Sequence, residues 1–393
     1  MDSIRQAARS RVIARSLAGS ALLLCLASAA DAQGLRLAVT NADSVDREGE
    51  IVAIRLSELR EYIPSLDPAH VTLTELPGGT QVLVQCTDEE LLFLTDIGPG
   101  RSRDFILRQA VHGAGGVETR VDGRFVLPRE DYAWENDRIA FRMYGPALAG
   151  QVGGGIDVWT KRVRSLIVQK WYRESEGSPP GKDTYHVDRG EGADFFSVGK
   201  TLGAGAAALW CCGRIHPPGV FSTWKTILSG PLRVQFELTY DSILVGGSVY
   251  SETCRITLDA GSNLNRIDVS YRAADTSRQV EVACGLAKRA ATSVRVNDAE
   301  CWLSLWGLTT PDTTNGYLGT GIVVPRAGFT GVAEDSLHWL ILGKTARGTP
   351  FTYYAGAGWT RSGDFATEED WQATLSQFVR RLRSPLRVTM ERE

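Results

Sequence analysis

Several features that would assign a chain quickly are scarce or missing here. The 393 residues hold only five histidines. Lys plus Arg number 43 against 46 Asp plus Glu, a net charge of −3, which excludes the strongly basic surface of a nucleic-acid binder. No apolar run is long enough to anchor the chain across a bilayer. The cysteines offer no C-x-x-C pair, since Cys211 and Cys212 are adjacent, so zinc-ligand spacing is absent. There is no G-x-S-x-G nucleophile elbow, and neither an internal repeat nor a low-complexity tract. "GKTLGAGAAALW" carries a Lys-Thr pair, but its glycines follow that pair, so it is no P-loop. "GAGAA" lacks the βαβ context and the ribose-binding acid of a dinucleotide site. What remains is a sheet strand whose small residues let another layer, or a ligand, come close.

Ordinary globular composition is present, 43% hydrophobic and 23% charged, with 41 glycines and many short apolar alternations that point to a mainly β fold. Arg5, Arg9, Arg11 and Arg15 precede "SLAGSALLLCLASAADA", which ends in the small-residue site Ala30-Asp31-Ala32. This predicts a secretory signal over residues 1–32, cut after Ala32, and an exported protein, periplasmic or secreted. Its removal takes away four arginines and two aspartates, moving the net charge from −3 to −5. Six cysteines then remain, and Cys254 and Cys284 sit in strand-like runs that suit free buried thiols as well as a bridge.

Residues 33–115 read as an N-terminal β-sandwich-like region and 116–393 as a larger β domain. "LRLAVTNADSVDREGEIVAIRL" (35–56) alternates around an acidic turn as hairpin strands do. "RSLIVQKWYRE" is the best early helix. "LRVQFELTYDSILV", "SVYSETCRITLDA", "LNRIDVSYRA" and "RQVEVACGLA" form a meander, with Val234, Phe236, Leu238 and Tyr240 on one strand face. "TEEDWQATLSQFVRRLRSP" predicts an amphipathic C-terminal helix with Thr367 as N-cap.

Chemistry concentrates in two stretches. In "DTYHVDRGEGADFF", His186 lies near Asp188, Glu191 and Asp194, in an acid- and glycine-rich segment that suits a cleft better than a core. An imidazole there can act as general acid or base. A metal site among these four matches no familiar ligand spacing. In "DYAWENDRIAFRMYGP", Trp134, Asn136, Arg138, Arg142 and Tyr144 would share one face of an unbulged strand, a surface fit for sugar acids. The alternative is that Phe141 and Met143 face the core and the others are merely solvated. "IDVWTKRV" repeats the pattern with Asp157, Trp159 and Lys161. Of the remaining histidines, His70 and His216 read as turn residues, His112 falls at the domain boundary, and His338 reads as core.

"AWENDRIAFRMYGPAL", "GIDVWTKRV", "YHVDRGEGADFFSVGKTLGAGAAALW", "GPLRVQFELTY" and "TLDAGSNLNRIDVSY" resemble, in this order, the domain-of-unknown-function 4861 family, over Leu35 to about Arg387. The resemblance implies an exported bacterial protein and a large antiparallel β-supersandwich, galactose mutarotase-like, with a smaller N-terminal β region. It also implies an enzyme of polysaccharide breakdown that dehydrates a terminal uronic acid. In such a reaction a base removes the C5 proton and the C4 hydroxyl leaves as water, so the site must stabilise charge building on the carboxylate. His186 would be the base or acid, with Tyr144 or Tyr185 protonating the leaving hydroxyl. Arg142, Arg138 and Asn136, or a bound divalent cation, would offset the charge. Trp134 and Trp159 would stack the sugar. Asp157, Lys161, Glu191, Asp194 and Arg266 complete the expected contacts to an acidic oligosaccharide. A glycoside hydrolase or sugar epimerase, and a non-catalytic carbohydrate-binding protein, are the competing classes.

Overall fold

The computed structural model describes residues 34–110, 118–177, 184–273, 279–346 and 348–393. The expected signal segment 1–32 and the domain boundary near residue 115, with His112, lie outside them. Every strand pairing among the described residues is antiparallel, apart from one isolated parallel bridge between Ile156 and Gly203. No described helix is long and apolar enough to cross a membrane.

The supersandwich expected from the sequence is present. Its broad layer is an eight-stranded sheet containing the predicted meander strands Arg233–Val245, Ser248–Asp259 and Leu264–Ala273. The fourth predicted meander strand, Val280–Ala287, crosses instead to a five-stranded sheet beside Ala204–Cys211. Alternation explains the long strands: Val234, Phe236, Leu238 and Tyr240 are buried, and the residues between them are half-exposed. A third sheet, ordered Gly192–Asp194, Asp157–Lys161, Ala140–Met143, Asp131–Asn136 and Val121–Val126, turns its inner face to the same core. That face supplies Tyr132, Trp134, Phe141, Met143 and Val158.

The glycine strip is a close-packed strand, as its composition indicates. Gly205 has φ +118°, and a Cβ there would stand 2.4 Å from the Cβ of Ala355. On the outer side of the eight-stranded sheet lies the helix Glu368–Arg383, opened by a capping box between Thr367 and Asp370. Its Trp371, Leu375 and Val379 are buried against Trp302, Trp306 and Val323. A Cβ on Gly319 would meet the Trp371 ring at 2.6 Å, so this approach needs glycine.

The N-terminal region departs from expectation in two ways. Leu35–Thr40 and Arg47–Arg55 are not a hairpin. Leu35–Thr40 pairs with Ser102–Gln109 and Arg387–Arg392, while Arg47–Arg55 pairs with Glu90–Ile97 in a separate three-stranded sheet. Asn41 fixes this divergence, its amide donating to the carbonyls of Val45, Ile97 and Gly98. Secondly, the strand Arg387–Arg392 belongs to this N-terminal sheet, so the larger domain does not run unbroken from 116 to 393. Leu56–Tyr62 is a short helix that apolar alternation did not reveal.

Candidate active site

The third sheet positions the site through its outward face. Cross-strand partners lie on one side of a sheet, and the registers Ala133–Arg142, Arg142–Asp157, Glu135–Ala140, Ala140–Trp159 and Trp159–Asp194 therefore place all of these residues together. Asp131 and Lys161 join them by strand alternation. A roof covers this face: the helix Val168–Glu176 buries Val168, Trp171, Tyr172 and Ser175, a helical spacing, and the turn Thr184–His186 follows. Trp159 lies fully beneath it, stacked against Trp171 and Tyr185 at 5.6 and 4.9 Å between ring centroids.

Glu135 ties roof to sheet. Its carboxylate accepts from the backbone N–H groups of Ile167 (2.9 Å) and Val168 (2.7 Å), the positive end of the helix, and from Lys161 Nζ at 2.6 Å. Lys161 also donates to the carbonyl of Asn136 at 2.6 Å. Burial lowers the Lys161 pKa, opposed by the Glu135 charge. This pair is structural and lies away from solvent.

Arg142 organises the chemistry. Its Nε and Nη2 donate to Asp157 Oδ2 at 3.0 and 2.6 Å, and Nη2 also to Asp194 Oδ2 at 3.1 Å. Nη1 faces Asp131 Oδ2 at 3.6 Å. Burial is the largest influence on Arg142 and opposes its charge, but the groups around it, Asp157 foremost, together raise its pKa and keep it protonated. Tyr144 donates to Asp157 Oδ2 at 3.1 Å, and burial followed by the Asp157 charge pushes its hydroxyl above the ordinary tyrosine range. Asp131 accepts from Tyr172 at 3.0 Å; burial pushes its carboxyl up to about 6, against the pull of Arg142 and Tyr172.

A pocket of about 230 Å³ opens over this floor, lined by Arg129, Asp131, Arg142, Tyr144, Tyr185, His186 and the Ala147–Leu148 turn. His186 Nδ1 lies 2.9 Å from the main-chain oxygen of Asp194. A carbonyl oxygen only accepts, so Nδ1 carries the proton and Nε2 is the basic nitrogen of the neutral ring. The His186 side chain is 45% exposed, whereas that of Asp194 is 2% exposed. Arg129 lies over the Tyr185 ring at 5.6 Å and donates to Ser175 Oγ.

Of the residues expected from sequence, the structure brings Arg142, Tyr144, Asp157, Tyr185, His186 and Asp194 together. Trp159 and Lys161 share this face but are buried, and the structure separates the others. Trp134 is fully buried on the opposite face, donating to Asn265 Oδ1 at 2.7 Å, so it offers no sugar platform. Trp159 is sealed beneath the roof for the same purpose of packing. Asn136 holds a turn, accepting from the N–H of Arg138 and Ile139 and donating to the carbonyls of Asp259 and Ser262. Arg138 is paired with Asp364, and Arg266 with Asp268. Glu191 accepts from Lys170 and Trp171, while Asp188 is held by Arg162 and the N–H groups of Gly190 and Gly192. Among the described residues no group of His, Cys, Asp or Glu is arranged to hold a metal ion. Asp131 and Arg129 are the pocket residues that sequence reasoning missed. The turn at 137–139 reverses the chain, and reading "END" as a turn would have placed Asp131 and Glu135 on the face of Arg142, on either side of its partner Ala133.

Two solved structures from Enterococcus faecalis overlay this fold loosely. One is an alpha-mannosidase, with 10% identity and a TM-score of 0.45. The other is a protein in the glycosyl hydrolase family 38, with 11% identity and a TM-score of 0.49. Each overlay takes in 91% of this chain, which spans about half of theirs, 46% and 47%. A protein of Formosa agariphila, "Uncharacterized protein P7", is 31% identical over 331 residues, covering 78% of this chain and 79% of that protein. The family model described as "Domain of unknown function (DUF4861)" matches residues 39–388, a span that includes every strand of the site. The chain therefore belongs to the DUF4861 family.

Proposed function

We propose that this protein is a carbohydrate-active enzyme that eliminates water from the terminal uronic acid of an oligosaccharide. The observation that carries this reading is His186, oriented by the Asp194 carbonyl with Nε2 as its basic nitrogen, on the wall of a pocket that also holds two arginines. His186 takes the proton from C5, the electron pair forms the C4=C5 double bond, and the C4–O bond breaks as the hydroxyl leaves with a proton as water. Negative charge spreads onto the carboxylate during this step, and Arg129 and Arg142 offset it. Arg142 acts as a fixed charge and a positioning residue, because Asp157, Asp194 and Tyr144 already occupy its nearest donors. Tyr144 is likewise committed to Asp157. At about 230 Å³ the pocket is smaller than the roughly 300–1,000 Å³ usual for larger ligands, which favours one terminal sugar over a length of chain.

The test incubates the protein with glucuronate-containing oligosaccharides. Absorbance near ~235 nm, where a conjugated unsaturated uronate absorbs, should rise as the C5 proton is abstracted. Mass spectrometry should show loss of one water without chain cleavage. Cleavage with the rise would make the protein a lyase; shorter products without it would make it a hydrolase. Binding without product would leave a carbohydrate-binding protein. His186→Ala should abolish turnover while leaving affinity within a few-fold, about 1 kcal/mol or less.

A further inference from the structure

Resting on that elimination chemistry, we infer that Asp131 is the general acid of the pocket, delivering the proton with which the C4 hydroxyl departs. Three other carboxylates face this side of the sheet, and each is already committed. Asp157 accepts from Arg142 and Tyr144 through Oδ2 and from the Val158 N–H through Oδ1. Asp194 is held by Arg142, and Glu135 by Lys161 and the helix N–H groups. Asp131 differs in position: of the four it is the one that lines the pocket holding His186. Its Oδ2 accepts from Tyr172, and its buried Oδ1 has no hydrogen-bond partner among the described residues.

An unsatisfied carboxylate oxygen in a dry site is costly when ionised, and a proton on Oδ1 removes that cost while creating a donor on a residue that lines the pocket. The groups around it are Arg129 on its own strand's approach, Arg142 and Tyr144 on the next strand, Asp157 and Asp194 beyond, Tyr172 on the roof helix, and Tyr185 and His186 on the turn. Burial dominates their combined effect and leaves the carboxyl half protonated near pH 6. One turnover moves one proton from C5 to His186 and one from Asp131 to the departing oxygen. Exchange with water then restores both groups, so atoms and charge balance.

The test uses Asp131→Asn in the full protein, which keeps an acceptor for Tyr172. Elimination should fall about a hundredfold to ten-thousandfold, the range for removing a general acid. Exchange of the C5 hydrogen with solvent deuterium should persist, because His186 still abstracts it; His186→Ala should lose both. A substrate acetylated at the C4 oxygen, whose leaving group needs no proton, should be turned over by Asp131→Asn within a few-fold of the unaltered protein. The assignment is overturned if Asp131→Asn eliminates normally. It is equally overturned if the folded variant loses exchange together with elimination, or if the acetylated substrate fails to rescue it. Should the unaltered protein show neither elimination nor exchange, the elimination chemistry itself falls.

Discussion

Glu252 shows what burial does to a single group. It lies inside the supersandwich between Tyr240 and Tyr271 on adjacent strands, 2% exposed, and burial pushes its carboxyl up to about 8. An unfolded glutamate ionises near 4.3, so the folded protein retains a proton that the unfolded chain gives up. The stability linked to this proton is complete below about pH 4, shrinks as pH rises, and is lost through about 8. Glu252→Gln, which cannot ionise, should therefore be more stable than the unaltered protein at pH 8, by a few kcal/mol. The two should converge near pH 4, which urea titrations at several pH values would show. Asp131 obeys the same sign for activity. Turnover that needs its protonated form should decline as pH rises through about 6, and Asp131→Asn should lack that decline.

At the scale of elements, the roof helix and the sheet beneath it are one unit. Lys161 and Glu135 are buried together, and Glu135 also anchors the helix N-terminus. Lys161→Met leaves the Glu135 charge uncompensated, a loss of about 3–5 kcal/mol for a broken buried pair. Hydrogen exchange should accelerate first at Trp171 and Tyr172, whose amides lie in this helix, ahead of the meander strands. The same elements mark where the sequence was legible. Meander strands and both amphipathic helices announced themselves, because one face of each is apolar at a regular period. The site strands were legible as strands but their faces were not, because both faces are buried: Trp134 and Phe141 against the core, Asp131 and Arg142 beneath the roof. Alternation between apolar and polar then reports two kinds of interior, not inside and outside. Even numbering correctly joined Arg142 and Tyr144, yet failed for Trp134 and Asn136, because a turn intervenes at 137–139 and shifts the parity. His186 was legible because its acid- and glycine-rich surroundings suit a cleft wall.

For the whole molecule, the N-terminal sheet is the assembly that depends on distant parts of the chain. Leu35–Thr40 sits between Ser102–Gln109 and Arg387–Arg392, and Glu393 N donates to the Gly34 carbonyl at 2.9 Å. Deleting residues 387–393 should uncover a continuous row of backbone donors and acceptors along Leu35–Thr40 and promote self-association, measurable by light scattering, while the pocket strands stay paired. The half-exposed Val388 and Met390, which cover the N-terminal core, would also be lost. The same connection has a consequence in time. During synthesis Leu35–Thr40 emerges long before Arg387–Arg392, and their pairing must wait until nearly all of the chain between them has been made. Until then its outer edge stays unpaired and prone to capture by other chains. Leu35–Thr40 is thus made early and secured late, and a holding factor acting on nascent chains would have its greatest effect there.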